Sequence, residues 1–105
     1  MNEYQIIIGP AAQEDLRGIY RYIADALVEP ETAHKVQARL ETHILSLRQF
    51  PQRHELVPWE PWRSRGLRKF PAENYTLFYL ADPDARTVYI LRVLYGGRDI
   101  PSELP

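Results

Sequence analysis

The sequence predicts an α+β fold in which a helical hairpin packs on one face of a mostly antiparallel four-stranded sheet, in the order β-α-α-β-β-β. Three observations carry that expectation. The apolar period changes from about two to 3.6 residues after Pro10 and stays helical as far as Phe50. Proline stands near the start of both helical stretches and just beyond the second. The C-terminal half is a succession of β-branched and aromatic runs separated by turn residues.

Taken in order, Tyr4 to Ile8 is β-branched and aromatic and stops at Gly9-Pro10, which reads as a strand followed by a helix start. Leu16, Ile19, Tyr20, Ile23 and Leu27 then form one apolar stripe, with Arg17, Arg21 and Asp25 on the opposite face. Gly9 offers no side-chain oxygen as a cap, and Glu14 and Asp15 are read as favourable to the helix dipole. The residue before a proline disfavours helical angles, so this helix ends before Pro30. Pro30 restarts a second helix, whose stripe is Ala33, Val36, Leu40, Ile44 and Leu47 and which Phe50-Pro51 closes. Each helix has about 18 residues, roughly 27 Å, and their short link makes them antiparallel.

Two stripes need a surface to cover them. Leu67 to Phe70, Tyr75 to Ala81 and Thr87 to Tyr95 supply it as strands, the last two joined through Asp82-Pro83-Asp84-Ala85-Arg86 as a hairpin. The last strand is apolar almost throughout, as expected of a central strand covered on both faces. Arg92 interrupts it, and a charge there needs a partner, so a buried ion pair is expected. Residues 51 to 61 hold three prolines and no period, and read as an ordered loop that Trp59 and Trp62 pin to the body. Residues 1 to 105 form one domain, with no repeat and no low-complexity tract.

Composition narrows the function. The chain of 105 residues has no Cys, which excludes thiol catalysis, Cys-ligated zinc and a disulfide scaffold. No signal peptide or apolar run near the ~20 residues of a membrane span is visible, so a cytoplasmic protein is expected. The net charge of −1 is an average over unlike halves: residues 1 to 62 hold six cations against nine acids, residues 63 to 105 seven against five. Cationic density peaks at Arg63, Arg65, Arg68 and Lys69, a candidate contact for phosphate or an acidic partner. His34 and His43 are nine residues apart rather than four, His54 is in a loop, and no metal site or cofactor is expected.

Several segments in order resemble the RelE/ParE toxins, also called plasmid stabilisation proteins. Tyr4 to Ile8 with Pro10-Ala11-Ala12, Glu14-Asp15-Leu16, Ile19-Tyr20 and Tyr22-Ile23 is similar to the family's start. Leu47 to Pro51 resembles its Leu-x-x-x-Pro, Gly66-Leu67-Arg68 its Gly-x-Arg, and Tyr75 to Tyr79 its Tyr-x-x-x-Tyr. Ile90 to Asp99 is similar to its closing Val-Leu-His-Gly-Arg-Arg-Asp. The resemblance covers residues 4 to 99. It implies the toxin of a type II toxin–antitoxin pair, silenced by an antitoxin that wraps around it and represses their shared operon, so that operator DNA is met only through the antitoxin.

The target is open between two readings. ParE-like members inhibit DNA gyrase; RelE-like members cut messenger RNA in the ribosomal A site. Cleavage through a 2′-hydroxyl needs a base, an acid and cations facing the phosphorane charge. Arginine serves the last role through its planar fork and the first two poorly. The toxicity site is expected at Arg68, Arg92, Arg98 and Tyr95, catalytic only if the protein is a nuclease, with Arg63, Arg65 and Lys69 as target or phosphate contacts. Tyr95 stands where many relatives carry His, and no Tyr, His or Lys follows Arg98. Plentiful cations without an acid/base pair favour inhibition by binding, with gyrase as the target. The antitoxin is expected to lay a hydrophobic helix and an extended segment on the hairpin and a sheet edge, with acidic groups near the basic stretch.

Overall fold

The computed structural model describes residues 3–96 and 104. Strand β1, Gln5–Ile8, leads into helix α1, Pro10–Arg21, which continues as a π-helical turn, Tyr22–Ala26. Helix α2, Pro30–Ser46, is followed by a short 3₁₀ turn at Pro51–Arg53 and then by β2, Arg68–Ala72, β3, Tyr75–Asp82, and β4, Thr87–Tyr95. The sheet order is β1-β4-β3-β2. β1 runs parallel to β4, and the other pairs are antiparallel. The expected α+β architecture is therefore present, and β4 is central as its apolar sequence requires.

Gly9 makes the turn from β1 into α1 possible. Its N–H donates to the Ile90 carbonyl at 2.9 Å, and a Cβ there would lie 3.2 Å from that same oxygen. The two helices cover one face of the sheet. Under them Ala12, Ile44 and Leu47 meet Leu77, Tyr79, Val88, Ile90 and Val93, all buried. The opposite face is covered by the proline-rich loop: Val57 and Leu67 pack on Phe78 and Leu94, with Trp59 and Trp62 over them. The Trp59 and Phe78 rings are 6.2 Å apart, so the loop is a third layer pinned by its tryptophans, as expected.

Two irregularities depart from the simple period. The π turn carries one residue more than an α turn, with the Leu27 N–H donating to the Tyr22 carbonyl at 3.0 Å. That extra residue shifts the stripe, so Ile23 stays buried while Leu27, expected on the apolar face, is 47% exposed. In β4, Phe78 opposes Arg92 while Tyr79 opposes Ile90, which leaves Leu91 as a β-bulge. Val88, Ile90 and Val93 face the helices and Leu91 and Leu94 the loop, so the alternation resets at the bulge.

Candidate functional site

Of the described residues expected at the toxicity site, Arg92 is held by an ion pair. Its Nε and a terminal nitrogen donate to the two carboxylate oxygens of Asp15 on α1, at 2.7 and 2.8 Å, and the Val93 N–H donates to the same carboxylate at 2.9 Å. The pair retains 18% and 14% side-chain exposure. Arg92 thus has the expected ion-pair partner. Asp15 is not a first-turn acid: it lies in the second turn of α1, where it locks the helix to β4 beside the bulge. Glu14 serves Arg17 and Arg21 at 2.9 and 3.0 Å, and these cations hold its carboxyl below the usual range.

Arg68, at the start of β2, donates to the carbonyls of Gln52 and His54 at 3.2 and 2.7 Å. Tyr79, directly opposite it on β3, donates its hydroxyl to the Pro51 carbonyl. Together they hold the Pro51–Arg53 turn against the sheet. Burial pushes the Tyr79 phenol up to about 12. His54 completes this corner, stacked on Phe70 at 3.8 Å and 14° with its Nε2 buried and unpaired. Burial first, then the Arg53 and Arg68 charges, lowers its pKa. No sequence signal marks His54, because the stack depends on where β2 brings Phe70.

The basic stretch does not form one surface. Arg68 and Lys69 are neighbours on a strand and leave opposite faces. Lys69 reaches Glu55 at 3.6 Å, Arg63 the Val57 carbonyl at 3.4 Å, and Arg65 lies 5.3 Å above the Trp62 ring. Arg63 and Arg65 remain exposed. Tyr95, 56% exposed at the far end of β4, meets Tyr75 edge-on at 5.8 Å. Its partner Tyr75 is four residues from Tyr79, the partner of Arg68, so Tyr95 and Arg68 are separated by roughly 13 Å along the strands and about 10 Å across them. Arg98 lies outside the described residues. Among those described, no three His, Asp or Glu side chains converge as a ligand set, and no helix is long and apolar enough to cross a membrane.

Two surface grooves bear on the site among the described residues. One, of about 760 Å³, lies between α1 and the end of β4 and is lined by Tyr22, Tyr75, Tyr95, Ile19, Asp15 and Arg92. Burial and the neighbouring phenols of Tyr95 and Tyr22 raise the pKa of Tyr75. The other, of about 570 Å³, runs between β1 and the helical hairpin and is lined chiefly by Ile6, Ile8, Leu16, Tyr20, Ile44 and Leu45. It adjoins an open sheet edge. Gln5 and Gly9 donate toward β4, so by alternation the N–H groups of Ile6 and Ile8 point outward, where no described strand pairs with them. The other edge is closed at its start, because Leu56 bridges Arg68 and the Lys69 N–H donates to the Glu55 carbonyl at 3.0 Å. The Ile6-Ile7-Ile8 run was the available sequence signal for this groove, since only a buried or partnered edge favours three isoleucines.

Residues 6–100 match the family model described as the ParE toxin of the type II toxin–antitoxin system parDE. The fold is similar to that of a chain from the chromosomal ParDE toxin–antitoxin system of P. aeruginosa, at 21% identity and a TM-score of 0.73 over 90% of this chain and 98% of that one. It is also similar to a chain of the toxin–antitoxin complex RelBE2 from Mycobacterium tuberculosis, at 23% identity and a TM-score of 0.63 over 89% and 98%. No curated protein matches the sequence.

Proposed function

The chain belongs to the ParE toxin family of type II toxin–antitoxin systems, and from that premise we propose that it inhibits growth by binding DNA gyrase and is neutralised by a cognate antitoxin. The observation that supports binding over chemistry is the state of the arginines. Proton transfer to and from an RNA substrate needs an acid and a base near a free cation. Here Arg92 is bound by Asp15, Arg68 by backbone carbonyls, and Tyr95, which lines the same groove as Arg92, meets Tyr75 edge-on and stands apart from Arg68. The toxic surface in this reading comprises the exposed Arg63 and Arg65 with Lys69 and Arg98, and Arg68 supports it by holding the turn beneath.

The antitoxin takes the β1 edge and its groove. An extended segment adds to the sheet through the outward N–H groups of Ile6 and Ile8 and the Ile6 carbonyl, displacing the Gln13 amide where it needs the Ile8 carbonyl that Gln13 holds at 2.8 Å, while its apolar side chains enter between Leu16 and Leu45. Both similar structures come from toxin–antitoxin systems, which agrees with such a partner. A short acidic reading frame abutting this one is expected to encode it.

Purified protein decides the target. It is expected to block supercoiling by gyrase and to leave messenger RNA intact in a translating extract. A-site cuts with unimpaired supercoiling would replace this reading by the ribosome-dependent endoribonuclease.

A further inference from the structure

Phe50 is 78% exposed, and its backbone is left-handed at φ 50°. Both facts oppose its presence. A bulky side chain is disfavoured at positive φ, the more so immediately before a proline, and a large exposed aromatic gives nothing to the fold. Asparagine would suit this backbone better. The side chain stands between two hollows that both include Gln49 and Glu3, one of about 440 Å³ reaching Arg48 and Arg53 and one of about 990 Å³ reaching Pro83 and Arg86. The first hollow shares Leu45 with the groove beside β1, so the three concavities form one trench along α2. Three arginines against one glutamate make its Phe50 end cationic; Arg86 also lies over the Tyr4 ring at 5.9 Å.

We infer that the antitoxin segment in the β1 groove continues past Leu45 and ends on Phe50, with an apolar side chain against that ring and carboxylates toward Arg48 and Arg86, since Arg53 is taken up by the carbonyls of Ser46, Gln49 and Phe50. This rests on the antitoxin reading above and extends it. Helix α2 has 17 residues, about 25 Å, which an extended segment of roughly eight residues matches. Charge complementarity decides the chemistry of the end, and Leu45, which lines both the groove and the first hollow, is the apolar step by which one segment reaches both parts. Phe50 then fixes where that segment stops.

The test uses the full chain and the product of the abutting acidic reading frame, titrated calorimetrically at low and at moderate salt. Phe50→Asn is expected to keep or raise the thermal midpoint while weakening binding at least tenfold. Arg48→Glu with Arg86→Glu is expected to weaken it at least tenfold and to flatten its salt dependence. Leu45→Glu, inside the groove, abolishes it. If Leu45→Glu abolishes binding but the Phe50 and arginine variants bind within twofold of wild type, the groove reading stands and this inference is overturned. An unaffected Leu45→Glu variant would remove the groove and with it the continuity argued here. A wild-type protein that binds no such product overturns the antitoxin reading itself.

Discussion

The Asp15 carboxylate receives three donors from β4, two of them from one guanidinium, and this decides what its neighbours can tolerate. Arg92→Met leaves a shielded carboxylate with only the Val93 N–H, and a loss of about 2–3 kcal/mol is expected in urea unfolding. Adding Asp15→Leu recovers most of that loss, because the unpaired charge rather than the missing pair is what destabilises. His54 carries the second expectation. Its folded pKa lies below the unfolded value, so the unfolded state binds the proton first as pH falls. The His54 contribution is full above about 6.5 and is lost as pH falls from there toward the folded value. His54→Phe is expected to flatten the stability profile below about pH 6.5, as read by thermal midpoint. The need of Arg92 for a partner was legible from the apolar strand around it. The identity of that partner was not, because Asp15 is 77 residues away and only the order of strands brings α1 over β4.

At the scale of elements, the bulge at Leu91 sets which face every later residue of β4 takes. Deleting Leu91 removes the bulge while Arg92 stays opposite Phe78 and Val93 opposite Leu77, so the faces are kept and the variant is expected to retain one cooperative unfolding transition, at a midpoint lowered only by the lost Leu91 packing. Gly66, at φ 89°, holds the loop where it re-enters the sheet, and Gly66→Ala is expected to lower stability by about 1 kcal/mol. All four strands were legible in the sequence within a residue or two of their ends, and both helices by their starts, because period and proline placement are local. The irregular turn at Tyr22–Ala26 was not, since the stripe through Leu27 reads as ordinary helix and only packing shows that Leu27 has left it. The order of the basic stretch misled in the same way. Four cations in seven residues suggest one patch, and strand alternation at Arg68 and Lys69 divides it between two faces.

For the whole molecule, the position of β1 governs more than the groove. The antiparallel strands β2, β3 and β4 follow one another in the chain, but β1 joins the far side of β4 in parallel. Local pattern cannot reveal that arrangement, which is why the open edge was foreseen without knowing which strand forms it. Gln5 pairs with Thr87, 82 residues later. At roughly 5–20 residues per second, the N-terminal strand waits on the order of 4 to 16 seconds on the translating ribosome for the strand that completes its sheet. During that interval α1 and α2 display apolar stripes with no sheet beneath them, and none of the surfaces that depend on Arg92 and Asp15 exists. The parallel pairing therefore acts as a clock on synthesis: the sheet cannot close until β4 has emerged, and until then the apolar stripes of the hairpin stay uncovered.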